Sequence, residues 1–312
     1  MAGEIGAQSL TNRNGSQRTF SDADLESRVA IVTGGGRGIG EAVALAFASH
    51  GARVVITSRT ESELEEVACK IERIGATVMI SQGDVSDPAD VDRTVRLTVQ
   101  RYGTVDLLVN AAAIHGPLGP SWEAEPEAWI TALRVNLGGT FLYSRAVLPH
   151  MIAKRRGKII NFSGGGATSA SPYMSAYGVS KAAVVRLTET IAEEVRSFNI
   201  QVNAIAPGMV DTRIHDDVLG ASMIVPETKE AVRKLKNGGI GGTPIELPAA
   251  LALFLASSKA DRLSGKLISA PHDDWRSWNE QRIADLMGGS WLALRRIDHF
   301  TLKQLTPQTT SR

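Results

Sequence analysis

The sequence has few of the features that mark secreted, membrane-bound or nucleic-acid-binding proteins. It contains one cysteine in 312 residues, which excludes an intramolecular disulfide and fits a reducing compartment. Lys and Arg outnumber Asp and Glu by 34 to 33, so charge does not favour nucleic acid or an anionic membrane as a partner. There is no membrane-length apolar run and no signal-peptide pattern. We therefore expect a cytoplasmic protein with no nucleic-acid or membrane partner.

Short apolar segments alternate with helix-like segments along most of the chain, whose residues are 43% hydrophobic. Residues 28–32, 52–57 and 105–110 are typical of buried strands. Strand–helix alternation predicts an α/β fold with a Rossmann-like, doubly wound parallel sheet in a single domain. We place this domain at residues 28–270. Residues 1–27 are rich in Gly, Ser, Asn and Gln and are expected to form a flexible extension.

A glycine-rich turn follows the first strand. Residues 33–40 read Thr-Gly-Gly-Gly-Arg-Gly-Ile-Gly, and an alanine-rich, helix-like segment comes next. Gly34, Gly38 and Gly40 would let backbone N–H groups approach a pyrophosphate at the N-terminus of that helix. A strand, a glycine turn and a helix in this order predict a dinucleotide site.

The end of the second strand bears on the choice of cofactor. It finishes in Ser58 and Arg59, with no acidic residue to hold the ribose 2′-hydroxyl of NAD. The guanidinium of Arg59 suits a 2′-phosphate, and Arg37 in the glycine turn adds weaker support. NADP is therefore favoured, NAD stays open, and a solvated Arg59 is the alternative. Further on, Asp84 fits either a contact with the adenine or a cap for the next helix.

Tyr177 and Lys181 lie four residues apart and would share one face of a helix. A free phenol has a pKa of about 10, and a nearby ammonium group lowers it by roughly 1–3 units. The pair then suits proton transfer to or from a carbonyl or an alcohol. An ordinary surface pair is the alternative interpretation.

Four other features of the sequence lead to further expectations. The tail, residues 271–312, holds Trp275, Trp278 and Trp291, which would cap the domain or lie at a subunit interface rather than cover a substrate cleft. Residues 212–243 suit either a substrate lobe with a mobile lid or a surface helix pair. Cys69 lies in a helix-like segment and is expected to be packed, while His115 either faces a substrate or has no catalytic role. We expect no metal site.

Together these features resemble the short-chain dehydrogenase/reductase family, of its single-domain type, over roughly residues 28–268. The resemblance implies an oxidoreductase that transfers a hydride between a nicotinamide cofactor and a ketone or secondary alcohol. The polar lobe favours a hydroxylated, sugar-like or specialised metabolite. The resemblance also implies a homodimer or homotetramer packed through helices at residues 138–154 and 177–198. It rests on the turn at residues 33–40, on residues 110–113, and on Asn136, Ser163, Tyr177, Lys181, Pro207, Gly208 and Thr212.

The resemblance also implies residue roles. Tyr177 would be the general acid or base, and Lys181 would lower its pKa and hold the nicotinamide ribose. Asn136 would anchor a water that relays protons to Lys181, and Ser163 would hydrogen-bond the substrate oxygen. The residues implied to bind the cofactor are Gly34, Arg37, Gly38, Ile39, Gly40, Ser58, Arg59, Asp84, Val85, Asn110, Ala111, Ala112, Tyr177, Lys181, Pro207, Gly208, Val210 and Thr212.

The sequence departs from the family pattern in its serine. The family's serine usually lies thirteen residues before the tyrosine, where this chain has Gly164, while Ser163 lies fourteen before it. We favour Ser163, because it ends its strand correctly, over Ser169, Ser171 and Ser175. Ala113 also stands where the family usually has glycine.

Two other classes of function stay open. One is an NADPH-binding regulatory module without turnover, for which the shifted serine leaves room. The other is an NAD-dependent epimerase or dehydratase, which the spacing of the glycine turn disfavours.

Overall fold

Seven short apolar segments form one parallel sheet in the computed structural model, which describes residues 25–238 and 242–295. The strand order is β3-β2-β1-β4-β5-β6-β7, and every neighbouring pair is parallel. The predicted doubly wound α/β fold is therefore confirmed. The strands are β1 (Val29–Thr33), β2 (Arg53–Thr57), β3 (Val78–Ile80), β4 (Leu107–Asn110), β5 (Gly157–Phe162), β6 (Ile200–Ala206) and β7 (Leu267–Ser269).

Ten α-helices are present in the described residues, most of them where amphipathic segments separate the strands. They are α1 (Gly38–Ser49), α2 (Glu61–Arg73), α3 (Pro88–Tyr102), α4 (Pro126–Leu133), α5 (Gly139–Lys154), α6 (Ser175–Glu194), α7 (Asp216–Gly220), α8 (Pro226–Lys236), α9 (Glu246–Ala256) and α10 (Glu280–Met287). None of the helices in these ranges is long and apolar enough to cross a membrane.

The segment after α4 carries Asn136. Residues Arg134–Gly138 form a π-helical turn that joins α4 to α5 with helical backbone throughout. A π-turn inserts an extra residue into a helix and often occurs at functional sites. Here it carries Asn136, which is 1% exposed.

The core consists of two apolar layers, one on each face of the sheet. Along β1, Ala30 and Val32 contribute to one layer and Ile31 to the other, as the alternation of side chains in a strand requires. On α2, Leu64, Val67, Ala68 and Ile71 face the sheet. Cys69 follows this stripe by one position and is exposed, so our expectation of a packed thiol was wrong.

The core extends beyond residues 28–270 on both sides. Leu25 is fully buried, as is Trp275, which packs 5.7 Å from Phe254 between ring centroids. The indole of Trp275 donates to the carbonyl of Ala270 at 3.1 Å. The described part of the tail thus caps the surface of its own domain. The predicted extension at residues 1–24, the lobe residues 239–241 and tail residues 296–312 lie outside the described residues.

The tail also lies against the edge strand of the sheet. After α10, the chain returns along β7, where the amide of Leu267 donates to the carbonyl of Leu292 at 2.7 Å. Lys266 reinforces this contact, since its Nζ donates to the carbonyls of Gly289 and Trp291, each at 3.0 Å. The edge of β7 is therefore paired along part of its length.

Candidate active site

A cleft of about 1460 Å³ lies beyond the carboxyl ends of the strands. Strand order reverses between β1 and β4, and ligands of open α/β sheets bind at such a switch point. Most of the predicted residues line this cleft: Gly34, Arg37, Gly38, Ile39, Gly40, Ser58, Arg59, Asp84, Val85, Ala111, Ala112, Ser163, Tyr177, Lys181, Pro207, Gly208, Val210 and Thr212. The structure thus brings distant parts of the sequence to one place.

The glycine turn passes very close to neighbouring backbone. A Cβ on Gly34, whose φ is +66°, would lie 2.9 Å from Cα of Ala112, and one on Gly40 would lie 2.2 Å from the carbonyl oxygen of Gly34. The hydroxyl of Thr33 accepts from the amide of Ala111 at 3.1 Å, which holds the two turns together. The N-terminus of α1 has no side-chain cap. This cradle fits a pyrophosphate, because uncapped N–H groups at a helix N-terminus attract anions.

The far end of the cleft carries three arginines and one glutamate. Glu63 on α2 accepts from Arg37 at 3.0 Å and from Arg213 at 2.7 Å. Arg59 also lines the cleft, and within the described part of the chain its guanidinium has no ion-pair partner. Of the three, Arg59 is therefore the cation most open to a phosphate.

Asp84 is not the cap of the next helix, so the second of our two interpretations of this residue was wrong. Its carboxylate accepts from the amide and the hydroxyl of Ser86 at 2.8 and 2.6 Å. Asp87 is the cap of α3, since its side chain accepts from the amide of Ala89. Asp84 lines the cleft while fixing its own loop.

Asn110 lies under the cleft and does not line it. Its amide donates to Asn161 at 2.9 Å, and the Asn161 amide in turn donates to Thr188 on α6 at 2.8 Å. This buried ladder links β4, β5 and α6. The side chain of Asn110 thus braces the strands, while the backbone after it faces the cleft.

Tyr177 and Lys181 lie on α6 with the lysine Nζ 5.6 Å from the centre of the phenol ring. Lys181 is buried, and its Nζ donates to the carbonyl of Phe162 at 2.9 Å. Burial raises the pKa of Tyr177 to about 12 and lowers the pKa of Lys181 to about 8. Our expectation of a lowered tyrosine pKa is therefore not met in the free protein, because desolvation of the phenolate dominates.

Ser163 and Gly164 occupy the end of β5, next to the tyrosine. The Ser163 hydroxyl donates to the backbone carbonyl of Lys181 at 3.1 Å, and the side chain is 2% exposed. A Cβ on Gly164 would lie 2.5 Å from the hydroxyl of Tyr177. The phenol hydroxyl thus lies against the backbone at Gly164, where there is no side chain.

The Asn136 amide holds the loop that follows β4. Its Nδ2 donates to the carbonyl of Ile114 and to the Ser180 hydroxyl, both at 2.9 Å, and its Oδ1 accepts from the Ile114 amide at 2.8 Å. These contacts use both N–H donors of the side chain. Asn136 therefore fixes the backbone beside His115 and does not itself line the cleft.

His115 occupies a more central position than its sequence indicated. The ring is 1% exposed, lines the cleft, and meets the ring of Tyr177 edge-on at 5.0 Å between centroids. Its Nδ1 is buried without a hydrogen-bond partner in the described structure. The ring of His215 lies 5.9 Å away, and Asp217 Oδ2 lies 4.0 Å from Nδ1. The only sign of this role in the sequence is the position of His115, two residues after the small residues that follow β4.

The lobe after β6 contains a helix pair, as one of our two interpretations expected. Lys236 on α8 pairs with Asp211 at 2.9 Å and with Asp216 at 2.7 Å. These contacts tie α8 to the segment that leads from β6 into α7. His215 and Asp217 from this lobe line the cleft next to His115.

Acid should destabilise the fold through His115. Burial, with help from the charges of His215 and Lys181, lowers its pKa from 6.5 to about 4. Between these pH values the imidazole is protonated in the unfolded chain and neutral in the native protein. The free energy of unfolding therefore falls as pH drops from about 6.5 to about 4. We expect His115→Leu to reduce this slope, measured as urea midpoints across that range. The exposed His272→Gln is the control, and an unchanged slope in His115→Leu would contradict the assignment.

The fold and the site together define a dinucleotide-dependent enzyme with a tyrosine–lysine pair at the end of its cofactor cleft. Residues 28–220 match the family model of the short chain dehydrogenases. The 3-oxoacyl-[acyl-carrier-protein] reductase FabG of Thermotoga maritima is 32% identical over 250 residues, which cover 78% of this chain and 96% of that protein.

Two solved structures show the same likeness. NAD⁺-bound xylitol dehydrogenase is 26% identical with a TM-score of 0.72, covering 78% of this chain and 98% of its own. Gluconate 5-dehydrogenase of Burkholderia cenocepacia, solved with NADP and tartrate, is 31% identical with a TM-score of 0.70, covering 80% and 95%. This chain belongs to the short-chain dehydrogenase family. It is an NAD(P)-dependent oxidoreductase acting on CH–OH groups.

Proposed function

We propose that the protein transfers a hydride between NADP(H) and a ketone or secondary alcohol that carries further hydroxyl groups. One observation carries this proposal. The cleft runs continuously from the glycine turn, past Tyr177 and Lys181, to a polar wall. A cofactor seated on the turn and a substrate against the wall would therefore both reach the tyrosine.

In this proposal Tyr177 exchanges a proton with the substrate oxygen. Its high pKa keeps the phenol protonated at neutral pH, which suits donation to a carbonyl during reduction. Lys181, with a pKa of about 8, is largely cationic there and favours the phenolate that donation leaves. The bound nicotinamide supplies or accepts the hydride. The chain's own residues hold the reactants and move the proton.

The lining of the cleft supports a hydroxylated substrate. His115, His215 and Asp217 face it from one side, and His272 and Asp273 from the tail. Groups that accept and donate hydrogen bonds favour ligands with several hydroxyls, since buried polar groups left unpaired cost free energy. Two structural neighbours are named for polyhydroxy compounds, xylitol and gluconate, which agrees with this choice.

A 3-oxoacyl compound is the second candidate, because FabG of Thermotoga maritima, which this chain resembles, is a 3-oxoacyl-[acyl-carrier-protein] reductase. The two candidates separate in one assay. The assay measures the near-ultraviolet absorbance of the reduced nicotinamide. It follows the oxidation of xylitol and gluconate and the reduction of ethyl acetoacetate. Turnover of the polyols supports the first candidate. Turnover of ethyl acetoacetate, with both polyols ignored, would reject it in favour of the second.

Arg59 supports NADP as the cofactor. We expect Arg59→Asp to weaken NADPH binding by about 10-fold or more, since it removes one charge-assisted contact of roughly 1.5–3 kcal/mol and adds a repulsive one. NADH should bind the variant as well as or better than the native protein. Calorimetric titration with each cofactor measures both effects. Arg262→Asp, exposed and outside the cleft, is the matched control. Tighter NADH than NADPH binding by the native protein would refute this role.

We also propose that the protein is a homodimer or homotetramer packed through α5 and α6. Each helix exposes a large apolar side chain, Phe141 at 48% and Val179 at 49%. Such side chains are common in interfaces between subunits. Light scattering of the purified protein measures the state directly. A monomer at micromolar concentration would reject this arrangement.

A further inference from the structure

A proton donor alone does not complete a carbonyl-reducing site. Negative charge develops on the substrate oxygen as the hydride arrives, and a second fixed hydrogen bond to that oxygen is typically worth about 10²–10³ in rate. The donor of this second hydrogen bond must lie close to the tyrosine hydroxyl, because both groups contact the same substrate oxygen.

The serines around Tyr177 are poorly placed for this role. The hydroxyl of Ser163 donates to the carbonyl of Lys181, so its single proton is already used. Gly164, where a Cβ would lie 2.5 Å from the phenol hydroxyl, has no side chain. Ser175 accepts the indole N–H of Trp129 at 3.1 Å and does not line the cleft, and the hydroxyl of Ser171 lies 2.7 Å from where a Cβ on Gly166 would be.

His115 is better placed than these serines. Its ring lies against that of Tyr177 and lines the same cleft, and its buried Nδ1 makes no hydrogen bond in the described structure, with Asp217 Oδ2 4.0 Å away. A buried polar atom without a hydrogen bond costs free energy, and a catalytic role is one of the explanations for such an atom in a native structure. The backbone beside the ring is also held in place, because Asn136 hydrogen-bonds both the amide and the carbonyl of Ile114. A neutral imidazole carries one N–H, so it is a hydrogen-bond donor that adds no charge to the site.

We propose that His115 is a catalytic residue that donates a hydrogen bond to the substrate oxygen protonated by Tyr177. This inference rests on the proposed function and adds the second donor to it. The role of His115 also accounts for the departure from the family's serine spacing. Gly164 stands where the family usually has its serine, and the loop after β4 places the imidazole of His115 against the ring of Tyr177 instead.

The test compares four variants under turnover with whichever of xylitol, gluconate and ethyl acetoacetate the native protein converts. We expect His115→Leu to lower kcat by about 10²–10³-fold. Ser163→Ala tests the other candidate donor, and we expect it to lower kcat less than His115→Leu does, because the Ser163 hydroxyl donates to the carbonyl of Lys181. The Asn amide reaches the position of imidazole Nδ1 and the Gln amide that of Nε2. Partial rescue of kcat by His115→Asn or by His115→Gln therefore identifies the nitrogen that donates.

Controls separate a catalytic effect from a folding defect and from failure of the proposed function. Calorimetric affinity for the cofactor should match the native value in all four variants. Full activity in His115→Leu, with a large loss in Ser163→Ala, overturns the inference while leaving the proposed function intact. A His115→Leu protein that no longer binds cofactor, with His115→Asn and His115→Gln fully active, would assign His115 a structural role and also overturn it. Absence of turnover with all three compounds overturns the proposed function, and the inference falls with it.

Discussion

Replacing Tyr177 by Phe should abolish measurable turnover while leaving cofactor affinity unchanged. The substitution removes one hydroxyl from the floor of the cleft and leaves the ring against His115. Proton transfer by a positioned side chain contributes about 10²–10⁴ in rate, and the described cleft offers no second phenol beside Lys181. Steady-state rates and calorimetric titration of the same preparations measure the two quantities.

Tyr102→Phe is the matched control for this experiment. The hydroxyl of Tyr102 is buried without a hydrogen-bond partner in the described structure, and the residue does not line the cleft. Its removal should change neither rate nor affinity. Native-like turnover in Tyr177→Phe would contradict the central role of the phenol.

The same pair of proteins would also distinguish an oxidoreductase from the two other classes of function that the sequence left open. A regulatory module that only senses NADPH would be indifferent to Tyr177→Phe, provided that binding persists. An epimerase or dehydratase would lose activity, but its native form would produce no net change in the absorbance of the reduced nicotinamide. A net change that depends on Tyr177 is therefore expected only for the dehydrogenase or reductase.

The sequence predicted the sheet and the cofactor cradle because both depend on local chemistry. Buried parallel strands need short, apolar segments, and Ile31 and Leu108 lie in strands that were recognised in this way. The glycine turn was recognised for a similar reason. Gly40 has no room for a Cβ, so its identity is dictated by backbone contacts close to it in the chain.

What the sequence did not predict depends on contacts between distant segments. Cys69 faces solvent because the phase of α2 differs by one position from that of a packed thiol. The tyrosine pKa is set by burial, which neighbouring residues in the sequence do not reveal. The position of His115 beside Tyr177 is fixed by Asn136 across the π-turn, 21 residues further on. A spacing rule for the serine likewise does not say where its hydroxyl donates.

Gly40→Ala should distort the glycine turn and so weaken cofactor binding. The added Cβ would lie 2.2 Å from the carbonyl oxygen and 2.6 Å from the carbonyl carbon of Gly34, and both are backbone atoms that no side-chain rotation can move. The turn and the first turn of α1 must therefore separate. Overpacking of this kind typically costs about 1–3 kcal/mol. We expect a lower urea midpoint and a loss of cofactor affinity of up to about 10²-fold.

Gly220→Ala is the control for this substitution, because a Cβ at that position meets nothing within 4 Å and the backbone there needs no positive φ. It should leave the urea midpoint and the affinity close to native. The two variants can be compared directly, since both changes add one methyl group at the end of a helix. If Gly40→Ala binds the cofactor as the native protein does, the close approach of α1 to the turn is not what seats the pyrophosphate. Binding would then depend on the loops after β2 and β6, where Arg59 and Thr212 line the cleft.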